Sequence, residues 1–152
     1  MSYYKPCPSC SEPILFYKNP VPTVDIIIFV PFEKIVLIER RNEPRGWAIP
    51  GGFVDYGERA EHAALREARE ETGLDIALTG LLGVYSHPDR DPRFHTLSVA
   101  YMAYPLNRDD LKAGDDASKA SLFSWNDLPD LAFDHDRIIK DFITFQRKLG
   151  YR

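Results

Sequence analysis

GFVDYGERAEHAALREAREETGL, residues 52–74, is the stretch on which the reading of this chain turns. It predicts a helix over about Glu58 to Thr72. Glu58 and Glu61 fall in its first turn, where the helix dipole favours acids. Gly73 follows where a left-handed C-cap wants glycine. Glu67, Glu70 and Glu71 stand at i, i+3 and i+4 and share one helical face. On an exposed helix such like charges cost roughly 0.2–0.5 kcal/mol per neighbouring pair. A structural helix gains nothing from them, unless the face is merely solvated and laced with pairs such as Arg66 with Glu70. A hard divalent cation gains a great deal, because Mg²⁺ prefers carboxylate oxygens and bridges to substrate phosphates. Ala64 and Ala68 lie on another face, small enough for close packing on a sheet. Before the helix, Pro50-Gly51-Gly52 lets the backbone come close to a ligand, since glycine has no Cβ.

Working outward, VDIIIFV from Val24 is a short apolar run rich in β-branched residues, which suits a strand buried on both faces. KIVLIER (34–40) is a second strand, after a turn at residues 31–33. Residues 41–52 read as loop. Further strands are expected at Leu78 to Tyr85, at Leu97 to Tyr104 and, shorter, at Ser121 to Trp125. In the second of these Leu97, Val99, Tyr101 and Ala103 share a face. Residues 107–118 read as a polar surface loop. Ile138, Phe142, Phe145 and Leu149 recur at helical spacing. Strands around a central helix, closed by a second helix, predict an α/β layered domain with a mixed sheet. Residues 1–22, rich in Pro and polar groups, read as an N-terminal arm, and residues 23–152 as the domain.

The chain has 152 residues, 44% hydrophobic and 28% charged, with a formal net charge of -4. That is one globular domain able to bury its own core. A mildly acidic chain is a poor prospect for general nucleic-acid binding. No apolar run approaches membrane-spanning length, and the N-terminus lacks the apolar core of a signal peptide. The expectation is a cytoplasmic protein without nucleic-acid or membrane partners.

Gly52, Glu58, Arg66-Glu67-Ala68, Glu70-Glu71 and Gly73-Leu74 stand at the spacings of the signature of the Nudix hydrolases, which this chain resembles over about Thr23 to Leu149. The resemblance implies an α/β/α sandwich with a mixed sheet, its catalytic loop-helix-loop at Gly52 to Leu74. It implies water attack on a nucleoside diphosphate linked to another moiety, with Mg²⁺ or Mn²⁺ as cofactor. The implied metal ligands are Glu67, Glu71, Glu70 and the carbonyl of Gly51. Glu70 also counts among the implied catalytic residues, with Glu58 and Arg66 bracing loop against helix.

Residues 83–96, GVYSHPDRDPRFHT, gather His87, Arg90, Arg93 and His95 between two strands. With GDDA at 114–117 and AFDH at 132–135, they resemble the ADP-ribose pyrophosphatase branch. That implies ADP-ribose as substrate, cleaved to AMP and ribose 5-phosphate, with Arg45, Arg90, Arg93 and His95 as substrate-binding candidates. The bland reading is a solvated loop whose Asp and Arg pair among themselves. A glutamate that family members often carry before a late Trp matches Lys119 here, so Asp116 is the candidate to act in its place. Triphosphates or NADH are the alternative substrates. A non-catalytic ADP-ribose sensor is the alternative of another class, although the signature is intact and no effector module is expected after Leu149.

Cys7-Pro-Ser-Cys10 resembles half of a zinc ribbon. A structural zinc wants four ligands, and no second pair exists; two chains could share a metal, but a degenerate ribbon with free thiols is the expectation, and zinc is not. His135 is expected to cap or pack at the last helix, and Trp47 to seal the core edge. A homodimer is the oligomer that symmetry base rates favour.

Overall fold

The expected N-terminal arm is a hairpin. β1 (Ser2–Pro6) pairs antiparallel with β2 (Pro13–Tyr17), Lys5 opposite Ile14. The computed structural model describes residues 2–30, 34–112 and 117–150. The turn expected at residues 31–33, and Asp115 and Asp116, lie outside the described residues. The remaining elements are β3 (Val21–Val30), β4 (Lys34–Arg40), β5 (Gly46–Ala48), β6 (Gly51–Phe53), α1 (Ala60–Thr72), β7 (Ile76–Tyr85), β8 (Thr96–Pro105), β9 (Ala117–Ser124) and α2 (His135–Lys148).

β3 is the centre of the main sheet, whose order is β5-β4-β3-β8-β7. It runs parallel to β8 along one edge. Its other edge is shared. β6 pairs with Thr23 to Asp25, and β4 with Phe29 and Val30. β9 pairs with β4. The sheet is therefore mixed, as the sequence predicts.

Both faces of β3 are covered, which is why its sequence is continuously apolar. Val24, Ile26 and Ile28 join Ala63, Ala64 and Ala68 of α1 in one core cluster. Ile27 and Phe29 join Ile138, Ile139 and Phe142 of α2 in the other. Each large side chain so buried contributes about 1.5–3 kcal/mol. β8 obeys the same rule. Val99, Tyr101 and Ala103 face α1, while Ala100 and Met102 face α2, so its second face is core too.

The stripe on α2 departs from the apolar spacing. His135, Ile138, Ile139, Phe142 and Gln146 are buried, while Phe145 and Leu149 are exposed. The polar segment after β8 is tied down by Asn107, which accepts from the backbone N–H of Asp75 at 2.7 Å. It also includes a single turn of 3-10 helix at Arg108–Asp110. α1 ends as predicted, on Gly73 at φ 71°.

Candidate active site

α1 presents its acids toward the loop before it, and Arg66 gathers them. Its Nε and Nη2 donate to the two carboxylate oxygens of Glu58 at 3.0 and 2.9 Å. Nη2 also reaches the carbonyl of Phe53 at 3.0 Å. Nη1 donates to Glu67 at 2.8 Å and to Glu70 at 3.1 Å. Glu58 further accepts from the backbone N–H of Asp55, so it closes the loop onto the helix. The Arg66 hydrogen bonds, helped by Asp55, hold Glu58 at about 2. Glu67 moves the other way. Burial raises its carboxyl, and Arg66 offsets that only in part.

Glu71 is buried and accepts from the backbone N–H of Gly51 at 2.8 Å. Glycine is required at Gly51, where the obstacle is backbone, while at Gly52 it leaves room for a side chain. A Cβ on Gly51 would sit 2.2 Å from the Val24 carbonyl, and one on Gly52 would sit 2.3 Å from the Glu67 carboxylate. Gly52→Ala therefore pushes Glu67 aside. The expected result is a fall in catalytic efficiency of roughly tenfold to a hundredfold, the scale for mutating a group that orients a metal ligand. The melting temperature should hardly change, because the clash falls on a movable side chain. Steady-state kinetics beside thermal melts would check it, and unchanged kinetics would remove Glu67 from the site.

These residues floor a cavity of about 260 Å³, lined by Gly51, Gly52, Glu67 and Glu71. Its walls come from Asp25 and Thr96 of the sheet, Arg90, Asp91 and Arg93 of the loop before β8, and Phe133 and His135 at the start of α2. Phe133 has φ 60°. The Arg40 and Arg93 guanidiniums lie 4.8 and 5.5 Å from its ring centroid. Phe94 stacks on Phe53 at 5.9 Å.

A buried polar network backs this wall. Arg90 Nε and Nη2 donate to Asp134 at 3.1 and 2.8 Å. Nη2 also donates to Asp25 at 3.0 Å, and Nη1 to Thr96 at 3.1 Å. Asp25 accepts from Ser98 at 2.6 Å and lies 3.4 Å from Nε2 of His135. His135 Nδ1 accepts the backbone N–H of Ile49 at 2.9 Å, which assigns its ring proton to Nε2, facing Asp25. Burial is the strongest influence on the Asp25 carboxyl and opposes its ionisation. His135, Arg90 and Ser98 together outweigh burial and hold it at about 2.

The structure brings some sequence candidates together and separates others. Gly51, Glu67 and Glu71 meet at the cavity, and Glu58 and Glu70 are joined to them through Arg66. Arg93 lines the wall, paired with Asp91 at 2.8 Å. Arg90 lines it too, but its guanidinium is turned inward onto two carboxylates rather than toward a ligand. Arg45 does not line the cavity; it is exposed and paired with Glu43. His95 does not line it either, because its ring closes the neck of its own loop on the Ser86 carbonyl at 3.1 Å. Asp116 lies outside the described residues. Lys119 pairs with Glu39 on the neighbouring strand. Phe133 and Asp134 fall inside the AFDH stretch that the sequence singles out, without a role of their own there, and Asp25 was not anticipated. Asp25 did carry a signal, as a lone acid inside an apolar run.

The donor set suits a hard divalent cation. Every candidate ligand atom is a carboxylate or carbonyl oxygen, and two of the carboxylates open into one cavity. Among the described residues no three acids, histidines or cysteines converge on one point. Arg66 draws Glu67 and Glu70 aside, and the Gly51 N–H holds Glu71.

The Nudix domain profile matches residues 19–142. The chain belongs to the Nudix family. It is 50% identical to the ADP-ribose pyrophosphatase of Methanocaldococcus jannaschii over 86% of this chain and 77% of that one. It superposes on the Nudix domain of Shewanella oneidensis NrtR, solved in complex with ADP ribose. The TM-score is 0.74 at 27% identity, covering 84% of this chain and 89% of the other. It also resembles a bifunctional NMN adenylyltransferase/ADP ribose pyrophosphatase from Francisella tularensis, solved with AMP and a manganese ion. There the TM-score is 0.71 at 25% identity, over 87% of this chain and 42% of that one. This Nudix hydrolase shares with its relatives the mixed sheet between two helices. Among the described residues, no helix is long and apolar enough to cross a membrane.

Proposed function

We propose that this chain hydrolyses ADP-ribose to AMP and ribose 5-phosphate with Mg²⁺ or Mn²⁺. The observation that carries the reading is one cavity with two kinds of wall. Glu67 and Glu71 supply carboxylates at its floor, and Arg93 and Phe133 supply cationic and aromatic surface at its side. That pairing suits a molecule with a diphosphate at its centre and rings beyond it. The identity to the Methanocaldococcus jannaschii enzyme supports ADP-ribose within that class.

Glu67, Glu71, Glu70 and the Gly51 carbonyl are the residues that would hold the cation. When bound, a divalent cation lowers the pKa of water and neutralises charge on the diphosphate. Arg66 keeps Glu67 and Glu70 poised and ties them, through Glu58, to the loop carrying Gly51. The buried network of Asp25, Arg90 and His135 fixes the opposite wall, so the substrate meets a preformed site. Arg93, half-exposed, is the guanidinium placed to meet phosphate.

The test is product identification. With ADP-ribose and Mg²⁺ or Mn²⁺ the expected products are AMP and ribose 5-phosphate in equal amounts, and chelation should stop the reaction. Faster release of pyrophosphate from a nucleoside triphosphate, or of AMP and reduced NMN from NADH, would move the substrate elsewhere in the family. Tight ADP-ribose binding without AMP would make the chain a sensor.

A further inference from the structure

The two cysteines of the chain, Cys7 and Cys10, both sit on the turn of the β1–β2 hairpin. The turn is closed on itself. The backbone N–H of Cys7 donates to the Glu12 carbonyl at 2.8 Å, and that of Ser11 donates to the Cys7 carbonyl at 2.9 Å. Ser11 takes φ 62°, in the left-handed region. The Cys7 sulfur accepts from the backbone N–H groups of Ser9 and Cys10 and lies within hydrogen-bond reach of the Cys10 thiol. Those bonds, Ser9 first, favour the thiolate and lower the Cys7 pKa. Thiolate is the form that binds metal. Two adjacent sulfurs on such a turn amount to half of a tetrahedral all-thiolate zinc site.

Nothing nearby completes it. Among the described residues no third His, Cys, Asp or Glu joins the pair, and the chain has no other cysteine. Meanwhile the hairpin is left uncovered. β1 and β2 form a sheet of their own, separate from the main one. Every residue of β2 is exposed, Ile14, Leu15, Phe16 and Tyr17 among them. A two-stranded hairpin alone in water is marginal, and both of its faces carry exposed apolar side chains, with Phe16 stacked on Tyr3 on one of them. A second copy of the chain brings the same two sulfurs in the same geometry, and two-fold symmetry places equivalent surfaces together.

We propose that two copies of this chain share one zinc ion, each giving Cys7 and Cys10, in a two-fold dimer that also covers the aromatic strands of the hairpins. Four ligands are reached when the turns of two copies meet.

The full chain, reduced and loaded with Zn²⁺ in excess Mg²⁺ and then desalted, should hold about one zinc per two chains by elemental analysis. Light scattering should give twice the chain mass, falling to the monomer when a chelator strips the zinc. Cobalt in place of zinc should show the intense visible bands of a tetrahedral thiolate site. The Cys7→Ser, Cys10→Ser double variant should lose both metal and dimer, while keeping its circular dichroism spectrum and its hydrolysis rate per chain with Mg²⁺. One zinc per monomer, a dimer that persists in the double variant, or zinc retained without the cysteines would each overturn the proposal.

Discussion

Glu71→Gln lowers kcat for ADP-ribose by roughly a hundredfold to a thousandfold, about the loss seen when one preorganised electrostatic group is removed. The effect is expected to be chemical rather than structural. Glutamine has the shape of glutamate and keeps an oxygen to accept the Gly51 N–H, which Glu71 holds at 2.8 Å. What disappears is the charge that a divalent cation would meet. Glu70→Gln should act in the same direction. Its side chain is 57% exposed, and its partner Arg66 retains Glu58 and Glu67, so the fold loses little. Kinetics at saturating Mg²⁺, with thermal melts of each variant, would check both. Full activity in either variant would rule out the mechanism.

Arg90→Met should cost stability, by about 3–5 kcal/mol, because it strands charges inside the protein. The Arg90 side chain is 5% exposed and stands between Asp25 and Asp134. Methionine fills part of the volume but pairs with neither carboxylate. The loss should appear in urea unfolding, and a change below about 1 kcal/mol, the scale of a surface pair, would contradict the buried network. Acid adds a second readout. The Asp25 carboxyl titrates at about 2 in the folded protein against its ordinary 3.8. Its contribution is therefore fully present above pH 3.8 and fades as the pH falls toward 2. Without Arg90 the carboxyl titrates higher, so acid unfolding of the variant should begin at higher pH than in the parent.

The helix and its acids could be read directly from residues 52–74, because helical period, glycine caps and like-charge crowding are all local. The central strand was legible for the same reason, since burial on two faces leaves an unbroken apolar run. The network behind the cavity was not. Asp25 stands out inside VDIIIFV, but its partner Arg90 lies 65 residues away, and only the folded sheet brings them together. The hairpin was missed because β2 buries neither face, so no alternation marks it. On α2 the apolar spacing favoured Phe145, while packing buried Gln146 instead. Among the substrate candidates, Arg90, Arg93 and His95 looked alike in sequence. Their different orientations follow from Asp25 and Asp134 drawing one inward, Asp91 holding the second at the cavity, and Ser86 turning the third away.

The loop before β8 thus divides its labour between two arginines three positions apart. Arg90 is an anchor, bolted to the strand beneath and to the start of α2. Arg93 faces outward beside Phe94 and Phe133. Exchanging the outward residues would change the surface that the cavity offers without disturbing the joint that seats the loop. In such a loop the surface turned toward a ligand can change in small steps while the acidic floor of the cavity stays as it is.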